Sequence, residues 1–132
     1  MPFVLDASVA LAWAFVDEQR PSAMRALTRA RTEEALVPGL WWFEVRNALL
    51  VNERRGRLAE SETAEFLEEL ARLRIAMDDA PDGRTLLALA RRYRLTAYDA
   101  AYLELAQRVE APLATLDIEL VRAARAAKVA LI

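Results

Sequence analysis

Apolar residues recur along this chain in two distinct patterns. Short continuous runs occur at 3–5 (F-V-L), 35–37 (A-L-V), 75–77 (I-A-M), 113–116 (L-A-T-L) and 129–131 (V-A-L). Runs of this length without polar alternation are expected of strands covered on both faces. Between them, apolar positions return every three to four residues, which predicts helices over roughly 8–15, 21–31, 40–54, 61–74, 83–93, 98–108 and 118–127. Strands alternating with helical segments are the signature of βαβ units around a mainly parallel sheet, so the expected fold class is α/β. The turn signals Pro38-Gly39 and Pro81-Asp82-Gly83 punctuate elements rather than domains. Without a repeat, linker or low-complexity tract, residues 1–132 read as one domain.

Two helices differ in what their pattern implies. In the segment 61–74, Phe66, Leu67, Leu70, Ala71 and Leu73 form an apolar stripe, and Glu68 with Arg72 makes an i,i+4 pair on the wet face. That helix reads as structural. The segment 40–54 is apolar almost all round in its first half, with Leu40, Trp41, Trp42, Phe43 and Val45. Trp13 and Phe15 add more large apolar surface early in the chain. Adjacent tryptophans cannot both face one core, so part of the 40–54 surface is expected to meet a partner chain or a second copy.

Four acids interrupt or close apolar runs: Asp6 in F-V-L-D, Glu44 in L-W-W-F-E-V, Asp99 in L-T-A-Y-D-A-A-Y-L and Asp117 in L-A-T-L-D. An ionised carboxylate in apolar surroundings is costly unless donors or a cation compensate it. Each acid also has an ordinary structural role open to it, Glu44 as a helix residue on the flank of its apolar stripe. Thr96-x-x-Asp99 fits a capping box, Asp117 can cap the last helix, and Asp6 or Ser8 the first. Taken together they suggest more. Asp6 and Asp117 end predicted strands, Asp99 opens a helix, and Glu44 lies one turn into its helix with Asn47 at i+3. In a parallel sheet these positions share the carboxyl edge, where α/β folds bind ligands. Carboxylates converging there repel one another, and a divalent cation with oxygen ligands, Mg²⁺ or Mn²⁺, resolves the repulsion.

Composition removes the chemical rivals. The chain has no cysteine and no histidine, which excludes disulfides, thiolate or imidazole metal sites and histidine-based acid–base catalysis. The only lysine is Lys128, and Gly39, Gly56 and Gly83 form no phosphate-binding loop pattern. The formal charge of −2 does not advertise nucleic-acid binding. Arginines nonetheless cluster at Arg20, Arg25, Arg29 and Arg31, at Arg54, Arg55 and Arg57, and at Arg91, Arg92 and Arg94. Each cluster is either a solvated helix face or a set of forks for phosphate. No run approaches the roughly 18 apolar residues of a membrane span, and no signal-like leader opens the chain, so a cytoplasmic protein without membrane contact is expected.

At this point the residues carry a resemblance. F-V-L-D-A-S-V-A-L-A-W, E-V-R-N-A-L, L-T-A-Y-D-A-A-Y-L-E-L-A and L-A-T-L-D-I-E-L occur in the order and spacing of the PIN-domain nucleases. In particular, the chain resembles the VapC-like toxins of type II toxin–antitoxin pairs. The resemblance spans essentially the whole chain and implies a three-layer α/β/α sandwich around a mainly parallel sheet of about five strands. It further implies a metal-dependent endoribonuclease in which Asp6, Glu44 and Asp99 hold Mg²⁺ or Mn²⁺ and Asp117 supports the metal or its water. Ser8, Asn47 and Thr115 are implied as supporting groups, and arginines at the rim as holders of the RNA backbone. The implied partners are an RNA substrate, a small antitoxin clasped near the helices 40–54 and 61–74, and a second copy in a homodimer.

Other readings are a stand-alone RNA-processing nuclease of the same family and an inert interaction module on the same fold. An acidic-pocket phosphotransfer domain is disfavoured. Ser8 stands where a dehalogenase-type site places its second acid, and Lys128 is poorly placed to serve as the required lysine.

Overall fold

The structure, a computed structural model covering residues 1–132, contains four strands and seven α-helices. In chain order these are β1 (Phe3–Leu5), α1 (Ala7–Ala12), α2 (Pro21–Ala30), β2 (Ala35–Pro38), α3 (Leu40–Arg54), α4 (Glu60–Ala71), β3 (Ile75–Asp78), α5 (Gly83–Tyr93), α6 (Ala97–Arg108), β4 (Leu113–Ala114) and α7 (Ile118–Ala126). A 3₁₀ turn at Val16–Glu18 follows α1. All strands are parallel, in the order β3-β2-β1-β4, with Val4 of β1 opposite Leu36 on one side and Leu113 on the other.

This order dictates where the helices lie. From β1 to β2 to β3 the chain steps in one direction, and right-handed crossovers put α1–α4 on one face of the sheet. From β3 the chain returns past β1 to β4, which puts α5 and α6 on the other face, where α7 joins α6. The direction of winding reverses between β1 and β4. The carboxyl ends of those two strands flank a topological switch point, the place where open α/β sheets leave a crevice.

Burial follows the apolar pattern. β1 is wholly buried, as a strand covered on both faces must be. Alanines at 10, 23, 26, 30, 106, 123 and 124 let the helices approach closely, and they join Phe3, Leu49, Tyr102 and Leu113 in one core cluster. Along α3, Trp41, Val45 and Leu49 face that core, whereas Trp42 is 42% and Phe43 70% exposed. The adjacent tryptophans therefore do part ways: Trp41 packs inside and Trp42 stays outside. Trp41 and Trp42 then line an apolar groove of about 210 Å³ with Arg46, Leu67, Leu70 and Met77. The Arg46 guanidinium lies 3.7 Å over the Trp42 ring.

Several sequence expectations need correction. The run 113–116 forms a strand only over Leu113–Ala114, because the Thr115 side chain turns to bond with Asp6 and Asp117. The run 129–131 contributes a single parallel bridge, Leu113 to Leu131, so the expected fifth strand is rudimentary. The first helix spans Ala7–Ala12 rather than 8–15, and neither Asp6 nor Ser8 caps it through a side chain. Glu68 and Arg72 form no ion pair. The i,i+4 pair that does form at depth is Glu104 with Arg108 on α6, where the Glu104 side chain is 1% exposed.

Candidate active site

Asp6 follows β1 directly, at the switch point. Only 6% of its surface is exposed, and Oδ2 accepts bonds from the hydroxyls of Ser8 and Thr115, both at 2.7 Å. These two hydroxyls tie the strand ends together. Ser8 Oγ also accepts from the backbone N–H of Leu116 at 3.0 Å, and Thr115 Oγ1 from that of Asp117 at 3.1 Å. The side chains that orient Asp6 thus also bend the chain leaving β4, which places Asp117 beside Asp6.

Asp117 serves two ends. Its Oδ1 accepts from Leu120 N at 2.9 Å, capping α7, while the residue also lines the cleft. Asp99 lies in the first turn of α6, but the cap there is Thr96, whose hydroxyl accepts from Asp99 N at 3.1 Å. The Asp99 carboxylate itself lines the cleft. Glu44 reaches the same space from α3, and its Oε1 accepts from the Tyr102 hydroxyl at 2.5 Å.

Asp6, Ser8, Glu44, Asn47, Asp99 and Asp117 together line one cleft of about 320 Å³, with Ala7, Leu11 and Ala48 as its apolar wall. Thr115 sits beneath the cleft and acts through Asp6. Six of the seven expected site residues therefore share the cleft, and the seventh supports it. Tyr102 was not among them. Its signal in the sequence is its position three residues after Asp99, which puts both on one face of α6.

The electrostatics record the crowding. Burial pushes the Asp6 carboxyl above its ordinary range, and repulsion from Asp117 adds to this, against the relief of the Thr115 and Ser8 hydroxyls. Glu44 is raised by burial and then by Asp6 and Asp99, with the Tyr102 bond opposing. Asp99 is raised by burial and then by Asp117 and Asp6. Tyr102 is pushed far up, chiefly by burial and then by the neighbouring carboxylates, so it stays neutral and serves as a donor.

The donor set fits a hard divalent cation: every ligating atom on offer is oxygen, and no cationic side chain lines the cleft. As the side chains stand, no three acids form a group able to enclose a cation unaided. The donors explain why, since Asp6, Glu44 and Asp117 are each drawn toward a different bond. A cation that keeps several waters, as Mg²⁺ does, suits such an open arrangement better than a caged one.

Comparison with known proteins agrees with this architecture. The chain is 37% identical over 123 residues to Ribonuclease VapC3 of Pyrobaculum aerophilum, covering 91% of this chain and 92% of that protein. Among solved structures, one from Pyrobaculum aerophilum superposes with a TM-score of 0.73 at 22% identity, covering 93% of this chain and 84% of that one. FitAcB from Neisseria gonorrhoeae gives a TM-score of 0.63 at 18% identity, over 100% and 96% of the two chains. A toxin–antitoxin complex from Klebsiella pneumoniae gives 0.58 at 21%, over 87% and 86%. At such identities the structures speak for the fold alone. The PIN domain family model matches residues 3–126, from β1 through the end of α7, and with the acids of all four blocks gathered in one cleft, the chain belongs to the PIN domain family.

Proposed function

We propose that this chain is a metal-dependent endoribonuclease and the toxin of a type II toxin–antitoxin pair. The observation that carries the reading is the convergence of Asp6, Glu44, Asp99 and Asp117, from four separate parts of the chain, on a single cleft at the switch point of the sheet. The family membership and the 37% identity to a ribonuclease support it.

In this reading Asp6, Glu44 and Asp99 hold Mg²⁺ or Mn²⁺, and Asp117 supports the cation or its water. When bound, the cation supplies activation of water and neutralisation of charge on the phosphoryl oxygens. The chain's own part is positional. Ser8 and Thr115 fix the Asp6 carboxylate, the α7 cap fixes Asp117, and Asn47 offers an amide at the cleft wall. The cleft holds neither histidine, whose ordinary pKa lies closest to neutral pH, nor lysine.

The partners follow from surface chemistry. RNA is the substrate, held at its backbone by rim arginines. Exposed arginines 91, 92 and 94 adjoin the start of α6, close in sequence to Asp99. In this reading the apolar groove between α3 and α4, with exposed Trp42 and Phe43, is the surface for an antitoxin segment, and the family resemblance supports a homodimer.

The decisive experiment incubates the purified chain with defined single-stranded and structured RNAs, with Mg²⁺, with Mn²⁺ or with chelator, beside Asp99→Asn. Cleavage is expected only with a cation and only in the unsubstituted protein. A loss of at least ~100-fold in Asp99→Asn is the scale anticipated for removing a directly acting charge. Cleavage that survives both chelator and substitution sinks the reading.

A further inference from the structure

Tyr102 is the largest fully buried side chain of the protein, with 0% of its surface exposed. Its ring belongs to the core cluster, and its hydroxyl is the one polar atom it brings there. A buried hydroxyl needs a partner, and this one donates to Glu44 Oε1 across 58 positions of sequence. The bond joins α6, on one face of the sheet, to α3, on the other, at the carboxyl edge of the strands.

We infer that Tyr102 is a positioning residue of the cation site: it holds the Glu44 carboxylate by Oε1 and leaves Oε2 free to ligate. The inference rests on the proposed nuclease reading. Glutamate is a long side chain that loses much rotamer freedom when it is fixed, and here a rigid aromatic ring anchored in the core does the fixing. Tyr102 stands one helical turn from Asp99, so the same helix carries one carboxylate of the site and sets the position of another. The tyrosine hydroxyl is the donor and Glu44 Oε1 the acceptor, so the bond holds one oxygen of the carboxylate in place. Partners of this kind orient metal ligands and typically change affinity by ~10–100-fold when removed.

The test is calorimetric titration of the metal-free protein with Mn²⁺, comparing it with Tyr102→Phe, alongside thermal melts of both. We expect the variant to stay folded and to bind Mn²⁺ at least ~10-fold more weakly. Cleavage at saturating Mn²⁺ is expected to recover to within a few-fold, which a general loss of structure would not allow. A variant that binds Mn²⁺ as the parent does overturns the inference and leaves the nuclease reading intact. A parent protein that binds no Mn²⁺ overturns the reading itself. One measurement needs no variant: the Tyr102 hydroxyl proton should give a downfield, slowly exchanging NMR signal that persists when Mg²⁺ is added. Its disappearance on adding Mg²⁺ would mean the bond competes with the cation, contrary to the inference.

Discussion

Asp99 keeps a carboxylate among carboxylates while its backbone, not its side chain, takes the helix cap from Thr96. Its charge is a cost of folding in the absence of a cation, as the upward displacement of its pKa by burial, Asp117 and Asp6 shows. Asp99→Asn should therefore stabilise the metal-free protein, because the neutral amide carries no charge to be buried beside Asp117 and Asp6. Thr115→Val should do the reverse. That hydroxyl donates to Asp6 and accepts from Asp117 N, so its loss leaves Asp117 N without a partner and Asp6 Oδ2 with Ser8 alone, and should cost about 1–3 kcal/mol. Urea unfolding in chelator reads both signs together, and a destabilised Asp99→Asn would contradict this account of its charge. Ser8 and Thr115 were legible in the sequence through the family resemblance, which implies them as supporting groups. Tyr102 was not, since an aromatic on an apolar helix reads as core, which it also is.

Helix α6 works at the scale of an element as a two-sided beam. One face presents Asp99 to the cleft and sends the hydroxyl of the buried Tyr102 to Glu44. Further along, Glu104 holds Arg108, whose guanidinium also grips both oxygens of Asp78 at 3.0 Å, clamping the end of β3. The loop after β3 is drawn in closely enough that a Cβ at position 39 would lie 2.7 Å from Asp79 Oδ1, so the Asp79 side chain would have to swing aside. Because Glu104 is 1% exposed, Arg108→Met leaves a buried charge without its partner. We expect a loss of about 2–3 kcal/mol, discounted because the arginine side chain itself is 32% exposed. Equilibrium unfolding measures it, and a loss under ~0.5 kcal/mol would show that Glu104 is held by something else. Sequence periodicity placed all seven helices, but the pairing of charges along them was misread at Glu68 and Arg72. Spacing of i,i+4 permits a pair, and only burial enforces one.

For the whole molecule, the acid cleft makes stability depend on pH in an unusual direction. Asp6, Glu44 and Asp99 have raised pKa values when folded. Between the ordinary carboxylate range and those raised values, the folded state keeps protons that the unfolded chain has lost. Stability therefore falls as pH rises through that window, and the loss is complete above it. Asp78, lowered by Arg108, acts oppositely: its contribution is present above the ordinary range and fades only as pH falls through its depressed value. In chelator the urea midpoint should be higher at about pH 5 than at about pH 7.5, and Mg²⁺ should raise it more at the higher pH. A midpoint that only declines on acidification would contradict this. The sequence by itself determined the helices, the strands β1 to β3, the parallel sheet and the acids that meet in the cleft, because apolar period and residue chemistry are local properties. It also showed that Trp41 and Trp42 must part, since adjacent residues of a helix face different ways. Only the tertiary structure decided which of them turns outward, that β4 yields to Thr115, and that a core tyrosine holds Glu44. Those outcomes depend on contacts between residues far apart in the chain, which no local pattern records.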